Sequence, residues 1–464
     1  MFFIRQSVNR DLKRRISIRL LYIMFQIIGF YPLDKCYENT WKYRIHTFYM
    51  KFQNVACITF IVLHLLNTFC RTIRHLPDFS QSLFEDVVMV ALLIIVYGFK
   101  IRIVQIDNIF KDLEYRFNTA DPDILQKSQQ KAMKKFYMFL TLFFCVIAGM
   151  ISEMTKTLSE NELAMRVKMF GTKYPRRILI VTIWIPGIDE SEMRNFVLIF
   201  LIELYLGLIF ILTAAVMIAY VPMIAVHVEG QVQILCKYIQ LLGSPHRDTE
   251  GNHIFFTDIM KNKYIFAMDI EGFEEHLIPK CSGNKQEMIV IVKNNAWKKK
   301  VEEAYEDHIF KQIIKFHQKM LTFVDQYMAL LNPFVVIVRF GNGMVFSLAL
   351  YQLITHPLEP SWIMFRCFCN FVTVMIQYYG FCDASETCDN YHIVMRRSLC
   401  YSNWFKCSMT TRRNIQMMLV RLYKPNHPTF YKGTVVFSKP NFVSLLKLSY
   451  QIVNMMRLKI NIHH

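Results

Sequence analysis

The sequence lacks the short motifs that mark most enzyme active sites. It contains no G-x-S-x-G, no H-E-x-x-H, no phosphate-binding G-x-x-x-x-G-K and no G-x-G-x-x-G. Its 14 histidines are scattered along the chain. We therefore expect a protein that is not an enzyme and that uses no cofactor.

Cysteine pairs of the metal-binding kind are also missing. The 12 cysteines show no C-x-x-C spacing, and most fall in apolar stretches. Cys367 and Cys369 share one such stretch, but a spacing of two on a helix points their side chains apart. We expect no metal site and interpret these thiols as small apolar fillers.

A cleavable signal peptide is not predicted either. Residues 1–19 are basic, but the apolar run 20–30 that follows has no A-x-A-like site after it. That run is too short to span a bilayer and ends at Pro32, so it is typical of an interfacial or re-entrant helix.

Long apolar runs, by contrast, are abundant. Apolar residues make up 53% of the 464 residues, and no stretch is left over for a soluble domain of normal size. The pattern predicts an all-α, polytopic membrane protein with seven transmembrane helices. The spans are expected near residues 54–70, 85–105, 136–153, 196–226, 331–354, 362–382 and 434–456.

The net charge of +18 does not indicate nucleic acid as a partner, because the basic residues are concentrated in the segments predicted to lie on one side of the membrane. With a cytoplasmic N-terminus, 39 Lys and Arg residues fall on the inside and 11 on the outside. Basic residues concentrate on the cytoplasmic side of membrane proteins. The bias predicts a cytoplasmic N-terminus and an extracellular C-terminus.

The spans divide the chain into segments with separate predicted roles. Within the outer loop, ILIVTIWIPGID is too short to span and too apolar for water, so we expect a flap folded over the outer helix ends. Residues 243–300 are predicted to be the least ordered part of the chain.

The predicted segments are a cytoplasmic 1–53 with its short interfacial helix, spans one to four at 54–226 with the outer loop 156–195, a long cytoplasmic loop with helical extensions at 227–330, spans five and six at 331–382, a cytoplasmic anchor or assembly region at 383–433, and the last helix at 434–458.

Polar residues inside the spans need partners or water. His64 and Asn67 in the first span are expected to form hydrogen bonds between helices, and Glu203 is a candidate partner for Arg339. The last span carries many polar residues, and Pro440 is expected to break its early part. It is therefore either a buried packing helix or the lining of a polar route across the membrane.

Seven spans are also compatible with other classes of membrane protein. A metabotropic G-protein-coupled receptor is disfavoured, because the charge bias orients the chain backwards and no Asp/Glu-Arg-Tyr follows the third span. Asn332-Pro333 opens the fifth span instead of the seventh. A secondary transporter is disfavoured because no inverted internal repeat is visible.

Several motifs, most of them after residue 380, resemble those of insect odorant receptors. The chain has Glu386, Tyr401-Ser402-Asn403-Trp404, Arg412-Arg413, Arg421 with Lys424-Pro425, Gly433, Phe442 with Leu446-Lys447 and Ser449-Tyr450, and earlier Trp184-Ile185-Pro186 and His317-Gln318-Lys319 before Phe323-Val324-Asp325. The related gustatory receptors remain an alternative, but their usual Thr-Tyr…Gln-Phe ending is absent. The ending also differs from that of the shared co-receptor, which implies a tuning subunit.

The resemblance implies a ligand-gated, non-selective cation channel in the plasma membrane of a sensory neuron dendrite. Such receptors assemble as heterotetramers with a co-receptor, surrounded by membrane lipid. The last helix of each subunit lines one pore for the permeant cations. A small volatile ligand sits among spans two, three, four and six, in their outer halves.

These implications give two sets of candidate residues. By position and side-chain type, the ligand-binding candidates are Val88, Leu92, Val146, Gly149, Glu153, Phe196, Phe200, Phe365 and Cys369. By register from Tyr450 the family's constriction falls at Val453 and Met456, which share a helical face with Ser449. A hydrophobic ring there gates by dewetting. The pore and gate candidates are Ser449, Val453, Met456 and Arg457.

The predicted orientation is open to a direct test. Epitope tags at both termini, read in intact and permeabilised cells, should show a hidden N-terminus and an accessible C-terminus. The opposite pattern, with an accessible N-terminus and a hidden C-terminus, would support the metabotropic class.

Overall fold

A computed structural model describes residues 16–32, 40–154, 160–247, 250–267, 295–355, 362–423, 429–430 and 435–462. Nearly all of this structure is helical, which confirms the predicted all-α fold. The predicted basic N-terminus, the short outer loop 356–361, Pro425 and Gly433 lie outside these residues.

Long helices make up the chain, with two short hairpins placed between them. The elements are α1 (Ile16–Ile27), α2 (Trp41–Cys70), α3 (Leu76–Ile101), α4 (Ile103–Lys111), α5 (Pro122–Met154), α6 (Glu160–Phe170), α7 (Met193–Gln240), β1 (His253–Asp258), β2 (Lys263–Ala267), α8 (Asn295–Thr355), α9 (Trp362–Asp389), α10 (Tyr391–Tyr401), α11 (Met409–Leu422), β3 (Thr429–Phe430), β4 (Val435–Val436) and α12 (Lys439–Ile462).

Each of the seven predicted spans corresponds to a helix of its own, namely α2, α3, α5, α7, α8, α9 and α12. The predicted bounds are wrong at two ends, because span 85–105 runs past the end of α3 into α4 and span 434–456 starts before α12. Among the described residues, the first five of these helices are long and apolar enough to cross a membrane. The helices α9 and α12 have 28 and 24 residues, which is sufficient length, but they are more polar. α7 and α8 extend well beyond their predicted spans, as the helical periodicity of their flanks indicated.

Local sequence sets several helix starts. The sequence Asp121-Pro122-Asp123 predicts an N-cap followed by a first helical turn. The structure confirms it, because Asp121 Oδ1 accepts hydrogen bonds from the amides of Asp123 and Ile124 at 3.1 and 3.0 Å. The prediction that Pro440 breaks the last helix is wrong. Helix α12 begins at Lys439, so Pro440 lies in the first turn, where its missing N–H removes no hydrogen bond.

A second proline lies inside α8 without ending the helix. Pro333 has no N–H, so the carbonyl of Ala329 four residues earlier loses its helical donor. The guanidinium of Arg102 supplies a replacement, with Nη1 at 2.8 Å from the Ala329 oxygen. This bond ties the junction of α3 and α4 to α8.

The largest core cluster has Tyr220 of α7 at its centre. This side chain is completely buried, and four rings from α1, α3, α4 and α8 surround it. The ring centroids of Phe25, Phe99, Phe110 and Tyr327 lie 5.9, 5.7, 6.2 and 6.3 Å from that of Tyr220. Edge-to-face and tilted contacts of this kind join α7 to its neighbours.

The outer loop folds over the helices as the flap hypothesis predicted. Ile183 is buried against residues of α2, α3 and α7, and Asn67 donates to the Thr182 hydroxyl at 3.1 Å. The Glu203 carboxylate accepts the backbone amides of Ile180 and Val181 at 3.0 and 3.4 Å. The expected pairing of Glu203 with Arg339 is therefore wrong: the flap backbone supplies the donors instead.

Part of the segment predicted to be least ordered forms a hairpin, because β1 and β2 pair in antiparallel fashion. Residues 268–294 lie outside the described residues. His246 and Tyr305 hold the hairpin against α8. The Tyr305 hydroxyl accepts from the Phe256 amide at 2.9 Å and lies 2.6 Å from His246 Nδ1, while His246 Nε2 lies 3.3 Å from the Leu241 carbonyl. These partners fit a neutral imidazole that accepts at Nδ1 and donates at Nε2.

Burial lowers the pKa of His246 below its ordinary value. The unfolded segment therefore binds a proton first as the pH falls through about 6.5, and the packing of the hairpin loses stability below that pH. Hydrogen exchange, corrected for its intrinsic pH dependence, should show less protection of residues 253–267 at pH 5.5 than at pH 7.5. In His246→Asn, which keeps a donor and an acceptor but does not titrate, this difference should vanish; an undiminished difference would contradict the assignment.

Candidate functional site

A cavity of about 210 Å³ lies inside the helix bundle. Its walls come from α3, α5, α7, α8 and α9, together with Phe437 just before α12. Apolar side chains form most of the surface, as in pockets for small organic molecules. The cavity is therefore a candidate site for an uncharged ligand.

Two helices supply most of the wall through rows of residues at helical spacing. The row on α8 is apolar apart from Gly341 and Asn342, and the row on α9 contains more small and polar side chains. The row on α8 is Leu331, Phe334, Val335, Val338, Gly341, Asn342 and Val345, and the row on α9 is Asn370, Thr373, Val374, Gln377, Phe381, Ala384, Ser385 and Cys388.

Few polar side chains line the cavity, and two of them, Thr373 and Ser385, have hydroxyls without a hydrogen-bond partner within the described chain. Buried hydroxyls are normally paired, because an unpaired one costs about 1–3 kcal/mol. Both oxygens have almost no accessible surface, so a ligand in the cavity does not reach them in this conformation.

A buried charge cluster joins α2, α3 and α9 next to the cavity. His64 Nδ1 lies 2.6 Å from Asp86 and His64 Nε2 lies 3.2 Å from Glu85, while Arg366 forms an ion pair with Glu85. Gln81 donates to Glu85 at 2.6 Å. The hydrogen bonds of His64 to both acidic side chains join α2 to α3. The expected hydrogen bonding of His64 between helices is therefore confirmed.

Helix α12 has one buried face and one exposed face within the subunit. Leu445, Ser449 and Val453 recur every four residues and are 7%, 1% and 0% exposed. The opposite face presents Lys447 and Gln451 to the outside. Two of the gate candidates, Ser449 and Val453, therefore pack against their own subunit, while the side chains of Met456 and Arg457 lie outside the described ones.

The chain just before α12 also lines the cavity. Phe437 lines the cavity and packs in one cluster with Phe346 of α8 and Leu445 of α12. Helices α8 and α12 lie in contact there, since a β-carbon on Gly343 would be at an ordinary contact distance of 3.4 Å from Leu445 Cδ1. A change in the shape of the cavity therefore reaches α12 directly.

Comparison with known proteins identifies the family. A family model described as 7tm Odorant receptor matches residues 75–450. The chain belongs to the 7tm odorant receptor family. The structure agrees, because this odorant receptor superposes on the insect olfactory receptor OR5 from Machilis hrabei with a TM-score of 0.67 and 9% identity, covering 97% of this chain and 99% of that one.

A second structure of OR5, in complex with eugenol, gives a TM-score of 0.68 at 10% identity, with 97% of this chain and 100% of that chain covered. At such identities the likeness is one of fold. Among curated proteins, none matches this odorant receptor in sequence.

Three of the nine predicted ligand-binding residues come together in the cavity. Val88 and Leu92 line it from α3, and Val146 lines it from α5. Whether they bind a ligand stays a prediction.

Five of the other predicted binding residues, whose side chains are described, do not line this cavity. Gly149 lies against Arg366, with the site of a β-carbon 3.2 Å from the Arg366 Cα. Phe196 and Phe200 stack on each other at 6.1 Å on α7. On α9, Phe365 is 44% exposed and Cys369 is 9% exposed, and the side chain of Glu153 lies outside the described ones.

Helix α8 is the main contributor that sequence reasoning missed. Its row from Leu331 to Val345 has helical spacing, but the same spacing is typical of any buried helix face. The pair of small or polar residues Gly341 and Asn342 within an apolar span was the available signal for space beside this helix.

Removing one partner from the charge cluster should be costly. Arg366→Gln leaves Glu85 with one cation fewer, and breaking a buried ion pair costs roughly 3–5 kcal/mol. We expect a clearly lower Tm in detergent and less receptor at the cell surface. The double variant Arg366→Gln with Glu85→Gln should recover part of the loss.

The matched control is an exposed pair on α8. Lys311 is 65% exposed and contacts Asp307 at 2.6 Å, so Lys311→Gln should cost at most about 1 kcal/mol. Equal Tm values for Arg366→Gln and Lys311→Gln would contradict the structural importance of the cluster.

Proposed function

We propose that this odorant receptor is the ligand-binding subunit of an odorant-gated, non-selective cation channel in the plasma membrane of a sensory neuron. A small volatile molecule occupies the cavity, and a co-receptor subunit completes the channel. The observation that carries the proposal is the contact of the cavity with α12 through Phe437.

The exposed face of α12 supports a role beside water. Ser444, Lys447 and Gln451 follow one another at spacings of three and four, so they form one stripe on that face. A lysine and two other polar side chains are unfavourable against lipid tails, whereas a pore or a neighbouring subunit satisfies them. Around one central axis, several copies of this stripe give a polar route for cations.

The packing offers a path from ligand to pore. An agonist opens the channel only if it binds the open state more tightly than the closed one. Filling the cavity pushes on α8 and on Phe437, and both contact α12 through the cluster that holds Leu445. The helix that carries the polar stripe therefore moves with the cavity wall.

The first test is a recording from cells that express this chain with and without an odorant receptor co-receptor. We expect a panel of volatile molecules, eugenol among them, to evoke cation currents when both chains are present. Absence of any odorant-evoked current, with both chains at the surface, would overturn the proposal.

Substitutions on the two faces of α12 distinguish which one meets the ions. Gln451→Cys should make the open current sensitive to a charged thiol reagent. The gate prediction at Val453 requires that Val453→Ser, a small polar replacement at a completely buried position, raises the resting current. Unchanged resting conductance at normal surface expression would count against the gate at Val453.

The control for Val453→Ser is Val443→Ser, on the exposed side of the same helix, where the valine is 47% exposed. It makes the same chemical change as Val453→Ser without opening the buried seam. We expect its resting current to equal that of the unmodified receptor.

A further inference from the structure

We propose that the outer loop holds a small monovalent anion, such as chloride, in a pocket lined by arginine side chains. The charged residues of this flap pocket are Arg71 of α2, Arg166 of α6, and Arg177 and Glu190 on either side of the flap. No residue lines both the flap pocket and the cavity of the helix bundle. The anion site is therefore separate from the proposed odorant site.

The lining of the flap pocket has an excess of positive charge. Arg71 forms an ion pair with Glu190 at 2.8 Å, and the two side chains are 17% and 8% exposed. Arg166 and Arg177 have no carboxylate partner among the described residues. Two positive charges are thus left beside a largely buried ion pair. An anion placed among them is favourable, because charges attract more strongly away from bulk water.

The next acidic residue of the loop does not supply this negative charge. Asp189 is not part of the flap pocket lining. Its Oδ1 accepts hydrogen bonds from the amide and the hydroxyl of Ser191 at 2.9 and 2.6 Å. Its carboxylate is thus held by Ser191, and the charge of the arginines has to be balanced from outside the chain.

Two of the guanidinium groups are held in place by aromatic rings. The guanidinium carbon of Arg71 lies 4.9 Å from the ring centroid of Trp184, and that of Arg177 lies 4.5 Å from the ring centroid of Tyr174. Arg177 Nη1 also donates to the Ser191 carbonyl at 2.5 Å, which uses one of its five N–H donors. Both guanidinium groups therefore keep donors for an anion and need little rearrangement to bind it.

The size of the flap pocket limits the anion. Its volume is about 40 Å³, little more than the roughly 30 Å³ that one water molecule takes up in the liquid. A monatomic anion fits this space. The carbon skeleton of an organic acid does not, so we assign the site to a free inorganic anion.

The sequence of the outer loop agrees with an anion site. Residues 156–195 carry seven lysine and arginine residues. Basic residues are normally sparse on the outer side of a membrane protein. Three arginines directed at one small pocket give part of this exception a chemical role.

The anion also has a structural consequence for α6. Among the described side chains, none of α6 forms a hydrogen bond or an ion pair with another element. Arg166 lines the flap pocket together with Arg71 of α2 and Arg177 of the loop. An anion bound by all three arginines therefore ties α6 to α2 and to the flap.

The experiment measures the Tm of the full-length receptor in detergent as chloride replaces gluconate at constant sodium and constant ionic strength. A ligand that binds the folded state raises Tm with its concentration. We expect a rise that follows the occupancy of one site. General salt effects on a protein surface do not follow such a curve. A Tm that is the same in chloride and in gluconate would overturn the anion site.

Two arginine substitutions locate the effect. Arg166→Gln removes one positive charge and no contact of the fold among the described residues, so it should raise the chloride concentration needed for half of the Tm shift at least about tenfold. The matched control is Arg176→Gln, which makes the same change at an exposed position outside the flap pocket. It should leave this concentration within about twofold. Equal chloride dependence in the two variants would contradict the assigned residues.

Hydrogen exchange on the unmodified receptor needs no variant. Chloride should slow exchange in α6 (Glu160–Phe170) and in the flap relative to gluconate, while the hairpin of β1 and β2 should not respond. Exchange in α6 that is indifferent to chloride would overturn the proposed link. Neither measurement uses an odorant or a co-receptor, so a negative result would leave the channel proposal intact.

Discussion

The packing of α12 against α8 is the contact on which the rest of the molecule's behaviour depends. Leu445, Phe346 and Phe437 share one cluster, and Phe437 is also part of the cavity wall. Packed interiors transmit a change of volume because they have few voids to absorb it. The same helix, α8, thus forms the longest wall of the cavity and the support of α12. A change in the cavity wall therefore reaches α12 through a single layer of side chains.

Several buried polar groups in this bundle are paired inside the protein, as an apolar surrounding favours. Glu85 and Asp86 meet His64 and Arg366, Glu203 meets the flap backbone, and the Ala329 carbonyl meets a guanidinium. Other buried hydroxyls have no partner among the described residues, in the packed interior (Tyr220, Tyr378 and Ser449) as well as along the cavity (Thr373 and Ser385). An unpaired hydroxyl is therefore not by itself a mark of the cavity.

Sequence reasoning located the seven spans because an apolar run long enough to cross a bilayer, with few charges, is typical of a transmembrane helix. It also found the cap at Asp121, since Asp directly before Pro is a strong local signal for a helix start. It could not find the pairing of Glu85 with Arg366, which are 281 residues apart. Nor could it fix the depth of the cavity: Val88 and Val146 line it but Phe196 does not, and helical spacing alone gives the face of a residue without its neighbours across the bundle.

Helices α7 and α8 are much longer than the hydrocarbon layer is thick, so each has one part in lipid and another beyond it. With 48 and 61 residues they measure about 72 and 92 Å along their axes, against about 30 Å for the hydrocarbon layer. More than half of the length of each helix therefore extends beyond the hydrocarbon layer. Expulsion of water holds that part together and weakens on cooling, whereas contacts between helices in lipid do not draw on it. Cooling therefore weakens the packing of α7 and α8 outside the hydrocarbon layer more than their packing within it.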